Sequence, residues 1–341
     1  MNRIQIKSIL MLVVAIILMV GCGKVTGSSN TKSKKDALND KIKVIATFYP
    51  MYEFTKQIAG DKADVQLLIP STIEPHDWEP TPKDMANIQK ADVFIFNSEY
   101  MESWVPSIRK SISNNNVDFV EASKGITLKK GVEEEEHEHE HDHDHGDHDH
   151  EGDTNAHDSN EEHEHHHHHE FDPHVWLSPV LAQHEVKTIT EALIKADPKN
   201  KEEYEKNSVA FTKKLKKLDS DFREGLKDIK QKEIVTQHAA FGYLTNEYGL
   251  IQVPIAGLSP DIEPSAAKMK EIKDFSKKNN VKVIYFEELA SPKVAETLAN
   301  EIGAKTEVLN TLEGLSKEDQ ENGFDYIKVM EKNLQTLLKY Q

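Results

Sequence analysis

Short apolar runs alternate with amphipathic stretches along the chain from residue 42 onward. The apolar runs span four to six residues, as buried strands do, and predict strands at 42–46, 65–69, 93–96, 117–120, 233–236, 251–255, 281–286 and 306–309. The stretches between them predict helices at 51–59, from 82 onward, 101–112, 179–196, 241–248, 265–278, 292–303 and 324–338. Strands that alternate with helices imply parallel sheets covered on both faces.

One amphipathic stretch in the middle of the chain is much longer than the others. Between 201 and 230, apolar residues recur at helical spacing with lysine and glutamate between them. A helix of that length would measure about 45 Å, enough to join two lobes rigidly. Four strands are predicted on each side of it. The expected fold class is therefore α/β, with two similar (β/α)4 lobes at 42–200 and 231–341 and mainly parallel sheets.

The N-terminal residues have the features of a secretory signal. Arg3 and Lys7 precede an apolar run at 9–20, and Gly21 and Cys22 follow it, which predicts a signal peptide over 1–21. The run is short of the roughly 20 residues that span a bilayer, although a retained membrane anchor is the alternative. Cys22, the single cysteine, resembles a lipobox cysteine and is the expected lipidation site. Residues 22–41 are polar and predict a flexible tether.

Nearly all imidazole and all excess negative charge lie in one segment, residues 133–170. It holds 17 of the 59 acidic residues, 14 of the 18 histidines and no lysine or arginine, which accounts for the whole net charge of −17. Such a composition predicts disorder and weak binding of several metal ions, or a solvated acidic loop that binds metal incidentally. The expected auxiliary ligands are His137, His139, His141, His143, His145, His148, His150, His163, His165, His166, His167, His168 and His169.

Two H-E-x-x-H patterns occur inside this segment, at 137–141 and 163–167. In a metalloprotease this pattern lies on a stable helix, whose apolar face aims the two histidines at zinc. Nothing around either pattern supplies an apolar face. A catalytic zinc motif is therefore not predicted here.

Four histidines lie outside the segment, and three of them follow predicted strands. His76 follows the second strand, His174 follows the fourth, and His238 follows the first strand of the second lobe. Ligand sites in such sheets lie beyond the carboxyl ends of strands, so these three side chains are expected to converge. His184 falls within a predicted helix among polar neighbours and is expected to be solvated.

The sequence around these three histidines resembles the metal-binding receptors of bacterial ABC importers for zinc or manganese, the cluster A-I family. The motifs occur in the family's order: E-P-H-D-W-E-P-T-P at 74–82, D-P-H-V-W-L-S-P at 172–179, H-A-A-F-G-Y at 238–243, and F-E-E-L followed by S-P within 286–292. The resemblance covers the chain from about residue 42 to the C terminus, apart from the histidine-rich segment. It implies two α/β lobes bridged by one long helix, with a metal site in the cleft between them.

The resemblance also implies a ligand set of three histidines and one carboxylate. His76, His174 and His238 match the family's histidine motifs, and Glu313 is the candidate from the loop after the last strand, while Glu287 and Glu288 remain competitors. Manganese members carry a carboxylate where His238 stands. Three imidazoles and one carboxylate favour zinc over manganese, so one tightly bound zinc is expected, with weaker ions in the histidine-rich segment.

The implied function is a high-affinity zinc receptor that delivers zinc to the permease and ATPase of an ABC importer. The receptor would be a monomer, held by its lipid on the extracytoplasmic face of the cell membrane, and not an enzyme. Nucleic acid is not an expected partner because the chain has no basic patch. Two alternatives are a zinc hydrolase, which would need an open coordination position, and a surface adhesin.

Overall fold

A computed structural model describes residues 41–112, 116–131, 171–260 and 263–340 of the 341-residue chain. The predicted signal, Cys22, the tether apart from Lys41 and the histidine-rich segment 133–170 lie outside these residues. Lys41–Gln341 form one compact unit. Within the described residues, no helix is both long enough and apolar enough to cross a membrane.

Eight strands form two four-stranded sheets in which every pairing is parallel. The strands are β1 (Ile42–Ala46), β2 (Ala63–Leu67), β3 (Val93–Phe96), β4 (Asp118–Glu121), β5 (Glu233–Thr236), β6 (Ile251–Pro254), β7 (Val283–Phe286) and β8 (Lys305–Val308). The sheet orders are β2-β1-β3-β4 and β6-β5-β7-β8, so both lobes have the same topology. This confirms the predicted α/β fold class.

Helices connect the strands and cover the sheets. They are α1 (Tyr49–Ala59), α2 (Pro82–Ile88), α3 (Val105–Ser111), α4 (Pro179–Ala196), α5 (Lys201–Leu226), α6 (Gly242–Tyr248), α7 (Ala266–Lys278), α8 (Lys293–Ile302), α9 (Lys317–Glu321) and α10 (Tyr326–Leu338). The predicted starts of α2 and α4 are confirmed: Thr81 and Ser178 cap them, each followed by proline. The short helix α9 and a 3-10 turn at Val175–Leu177 were not predicted from the sequence.

Helix α5 links the two sheets along the chain. It has 26 residues, about 39 Å of helix, and ends at Leu226 rather than at residue 230. Its apolar stripe is buried, and the helix packs against α1, α4, α6 and α10. Burial of this stripe in both lobes, rather than helix propensity, stabilises so long and charged a helix.

The closing helix α10 also contacts both lobes. The ring of Tyr326 packs edge-on against Phe54 of α1, with ring centroids 4.9 Å apart. Its hydroxyl donates a hydrogen bond to the backbone oxygen of Trp176, 2.6 Å away. A single apolar core therefore extends from the first sheet through α5 and α10 to the second.

Candidate metal centre

Three histidines and one glutamate converge between the carboxyl ends of the two sheets. His76 follows β2, His174 lies in the segment between β4 and α4, His238 follows β5, and Glu313 follows β8. One possible ligand atom from each lies within 4.8 Å of the others. His174 and His238 are fully buried, and Glu313 is 3 % exposed. The residues predicted as the ligand set are thus brought together.

The donor atoms are spaced like those of a tetrahedral zinc shell. Oε1 of Glu313 lies 3.2 Å from Nε2 of His76 and 3.2 Å from Nε2 of His174. It lies 3.5 Å from Nε2 of His238, and the Nε2 atoms of His76 and His174 are 3.3 Å apart. With metal–ligand bonds of about 2.0–2.1 Å, a regular tetrahedron separates its donors by about 3.3 Å. Four of the six donor–donor distances therefore match a tetrahedral zinc shell, and all four donor atoms lie within 4.8 Å of one another.

Carboxylates behind the histidines orient two of the imidazoles. Oδ1 of Asp172 lies 2.8 Å from Nδ1 of His174 and accepts a hydrogen bond from its backbone nitrogen. Oε1 of Glu287 lies 3.0 Å from Nδ1 of His238, the distance of an ion pair, and accepts from the backbone nitrogen of His238 at 3.2 Å. A partner on Nδ1 directs the lone pair of Nε2 toward the ion and raises its basicity.

These contacts decide between the glutamates that compete for the fourth position. Glu287 pairs with Nδ1 of His238, on the side of the ring away from the other donor atoms. Glu288 accepts a hydrogen bond from Nδ2 of Asn310. Of the three candidates, Glu313 alone belongs to the converging group. Asp172 was not predicted to act on the site, although its position two residues before His174 in the D-P-H motif was a usable signal.

His184 was expected to be solvated, and the hydrogen bond of its side chain lies at the exposed surface. Its side chain is half-buried, and Nε2 donates a hydrogen bond to the backbone oxygen of Lys124 at 2.8 Å. The ring lies next to Gly125. His184 therefore fastens α4 to the turn after β4 and has no part in the converging group.

The loop that carries Glu313 is held in an unusual backbone conformation. Leu312 has a φ of 59°, in the left-handed region that few residues other than glycine adopt. The backbone nitrogen of Leu312 donates to Oδ1 of Asn310 at 2.7 Å, and the hydroxyl of Thr311 donates to Oε2 of Glu313 at 2.9 Å. These bonds leave Oε1 of Glu313 to face the histidines.

The same loop is pinned to the first lobe. The indole nitrogen of Trp176 donates to the backbone oxygen of Thr311 at 2.8 Å, and Leu315 donates its N–H to the backbone oxygen of Ser71 at 2.7 Å. A Cβ on Gly314 would lie 2.2 Å from that Ser71 oxygen, so the close approach requires glycine. Glu313 is therefore positioned by both lobes.

A buried carboxyl also supports the segment before His174. The side-chain nitrogen of Asn97, just after β3, donates to the backbone oxygen of Pro173 at 2.8 Å. Glu102 in turn accepts the backbone N–H groups of Asn97 at 3.0 Å and Ser98 at 3.1 Å. Burial raises the pKa of Glu102 to about 7. No sequence signal marked this network, because its members are common polar residues at unremarkable spacing.

The surroundings shift the pKa values of the three histidines in different directions. Burial lowers the pKa of His76. Burial is also the largest single effect on His174, but the hydrogen bonds and charges of Asp172 and Glu313 together outweigh it and raise the pKa. At His238 burial is again the largest single effect, but the carboxylates of Glu287 and Glu313 together overcome it and raise the pKa to about 10.

Glu313 stays ionised in spite of its burial. Burial alone would raise the pKa of Glu313, but hydrogen bonds from the three imidazoles hold it well below its usual range. Without metal, the charge of this carboxylate is balanced by protons on the imidazoles whose pKa is raised, that of His238 above all. A divalent cation supplies the same positive charge, so it can replace those protons on binding.

A cavity borders the converging group on the side of His76. A cavity of about 200 Å³ borders this histidine and is lined by Asp77, Trp78, Glu79 and Tyr100, among others. Asp77 and Glu79 are exposed, so two carboxylates flank the opening. Their negative charge favours the approach of a cation.

Two α/β lobes with a buried His3Glu group between them define a two-lobed solute-binding receptor with a metal site in its cleft. Residues 44–340 match the family described as zinc-uptake complex component A, periplasmic. The chain belongs to this family.

Named relatives agree with this assignment. The chain is 59% identical over 321 residues to the high-affinity zinc uptake system protein ZnuA of Bacillus subtilis, covering 94% of this chain and 93% of that protein. It is 47% identical over 305 residues to the zinc-binding lipoprotein AdcA of Streptococcus pneumoniae, covering 89% of this chain but 57% of AdcA. The crystal structure of the Zn(II)-bound ZnuA-like domain of AdcA matches with a TM-score of 0.70 at 45% identity, over 88% of this chain and 98% of that domain.

Proposed function

We propose that this protein is an extracytoplasmic zinc receptor that binds one Zn²⁺ through His76, His174, His238 and Glu313 and passes it to the permease and ATPase of an ABC importer. The observation that carries the proposal is the convergence of the four donor atoms within 4.8 Å of one another, with four of their six separations close to those of a tetrahedral zinc shell. The names of the relatives support zinc as the cargo.

A receptor agrees with the site better than a hydrolase does. A catalytic zinc keeps one coordination position open for water, whereas four protein ligands fill a tetrahedral shell. Glu313, the carboxylate within 3.5 Å of all three histidines, is itself one of the four ligands and so is not free to act as a base. The family is one of uptake components, which also favours binding and release over catalysis.

The remaining parts of the chain take roles that follow from their composition. Residues 1–21 act as a signal, and Cys22 carries the lipid that holds the receptor to the cell membrane through the tether at 22–41. The first lobe spans 42–200, the linking segment with helix α5 spans 201–230, and the second lobe spans 231–341. The histidine-rich segment 133–170 collects zinc weakly near the site. The receptor works as a monomer.

A competition titration tests the proposed cargo. Zinc and manganese are titrated against the mature protein in the presence of a chelator strong enough to keep the histidine-rich segment empty. Three imidazoles in a tetrahedral setting should favour zinc by at least a hundredfold, whereas manganese prefers more oxygen ligands. Equal or tighter binding of manganese would overturn the assignment of zinc.

A further inference from the structure

The side chain of Tyr243 extends from the second lobe and contacts the first lobe directly behind the metal centre. It lies in α6, five residues after His238, and is 5 % exposed. Its hydroxyl donates a hydrogen bond to the backbone oxygen of Asp172 at 2.7 Å. The same hydroxyl accepts a hydrogen bond from the backbone nitrogen of Lys129 at 2.9 Å. One side chain of the second lobe thus holds two segments of the first.

These two segments of the first lobe are themselves paired. The backbone nitrogen of Asp172 donates to the backbone oxygen of Lys129 at 2.8 Å, and Lys130 and Phe171 form an antiparallel bridge. The Lys129 ammonium group reaches back to the second lobe, where it donates to the backbone oxygen of Gly242 at 2.8 Å. The pair is therefore tied to the start of α6 at several points.

The contacts converge on the residue that orients a metal ligand. Asp172 holds both the ring and the backbone nitrogen of His174. Its other carboxylate oxygen lies so close to α6 that a Cβ on Gly242 would approach it to 2.7 Å. A shift of Asp172 relative to α6 would move Nε2 of His174 away from the other donors.

We propose that Tyr243 is a positioning residue that sets the selectivity of the metal centre by fixing Asp172, and through it His174, at tetrahedral distance from the ligands of the second lobe. The inference rests on the proposed zinc function. Zinc needs the small four-donor cage, whereas manganese accepts longer bonds and more ligands. Loosening the contact should therefore weaken zinc binding while leaving manganese binding as it is.

The test is Tyr243→Phe in the mature protein, with Tyr248→Phe as the matched control. Tyr248 lies in the same helix, is 9 % exposed and donates its hydroxyl to Asp219, away from the site. Zinc and manganese affinities are measured by chelator competition, and zinc release is followed after excess chelator is added. Tyr243→Phe should lower zinc affinity and the zinc-to-manganese ratio by about tenfold and speed release, while Tyr248→Phe should stay within about twofold of wild type.

Each outcome bears on the proposal. An unchanged ratio in Tyr243→Phe, or an equal loss for both metals, would show that the hydroxyl is only a structural contact and overturn it. If wild type itself binds no zinc tightly, the proposed function fails instead. If Tyr243→Phe does not fold, Lys129→Met is tested instead, because it removes the ammonium contact with Gly242. This variant should lower the zinc-to-manganese affinity ratio by about threefold. An unchanged ratio would again contradict the proposal.

Discussion

Nδ1 of His238 lies 3.0 Å from a carboxylate oxygen of Glu287, and both side chains are buried behind the metal centre. Asp172 stands in the same relation to His174 in the other lobe, at 2.8 Å. Each lobe thus orients its own imidazole from within, before any ion arrives. The centre is preorganised by pairs of residues and not by the metal alone.

Removing the charge behind His238 should weaken zinc binding without removing a ligand. Glu287→Gln keeps the shape of the side chain but not the negative charge, so the imidazole becomes a poorer donor. We expect zinc affinity to fall between about tenfold and a hundredfold. Glu307→Gln, at the edge strand β8 and paired with Lys339, is the control and should have no effect on affinity. Equal affinities in the two variants would refute a role for Glu287 at the site.

Zinc affinity should rise with pH, because the metal competes with protons. The folded-state pKa of His238 is raised to about 10, so its ring is protonated near neutral pH without metal, and the pKa of His174 is raised as well. Zinc binds neutral imidazole, so binding should release at least one proton, and affinity should increase between pH 6 and 8. Calorimetry in buffers of different ionisation enthalpy counts the protons. Binding without proton release would contradict this account.

In the metal-free protein, the same raised pKa of His238 makes the stability of the fold decrease as the pH rises. A folded-state pKa of about 10 for His238 lies above its unfolded value of about 6.5. The protonated ring therefore contributes its full stabilisation below about pH 6.5 and loses it as the pH rises toward 10. Thermal melts of the metal-free protein should show this decline between those values, and zinc-loaded protein should not.

Gly314→Ala should damage both stability and zinc binding. The new methyl group would lie 2.2 Å from the backbone oxygen of Ser71 and 2.6 Å from the side chain of Leu289, so the Glu313 loop must move. Overpacking of this kind costs about 1–3 kcal/mol. Glycine to alanine at Gly225, where the nearest side-chain atoms are 3.2 Å away, is the control. A Gly314→Ala protein with wild-type melting temperature and zinc affinity would show that the close approach does not position Glu313.

The sequence predicted the fold well because each element carried its own local signal. An apolar run, or a helix start with a capping residue and a proline such as Thr81-Pro82, is recognised from neighbouring residues alone. Strands β1, β3 and β5 begin and end where they were expected. The helix expected from residue 101 begins at Val105 instead. There, Glu102 turns back to bind the N–H groups of Asn97 and Ser98, a tertiary contact that no periodicity reveals.

The members of the converging group were predictable from the sequence, and the contacts that support them were not. His76, His174 and His238 follow strand ends, and the topology of parallel sheets brings such residues together. The choice of Glu313 over Glu287 depends on the left-handed backbone at Leu312 and on contacts with Trp176 across the lobes. Contacts of that kind join residues far apart in sequence, so spacing alone could not separate the candidates.

Deleting residues 133–170 should reduce the number of bound zinc ions but leave the tightest class unchanged. Lys130 and Phe171 pair directly, so the ends can be rejoined by a short glycine linker. A segment that must order itself around each ion binds more weakly than a preformed site. Growth should suffer only when zinc is scarce. Loss of the tightest class, measured by mass spectrometry and titration, would show that the segment supplies a ligand to the centre.

The central claim is that His76, His174, His238 and Glu313 together hold one tight zinc between the lobes. The most direct measurement is a zinc titration of His238→Ala against the parent, both lacking residues 133–170. Removal of one of four ligands should lower affinity by at least a hundredfold, about 3 kcal/mol. A His184→Ala protein, altered at a histidine outside the centre, should bind like the parent. If His238→Ala binds zinc as tightly as the parent, the assignment of this centre is wrong.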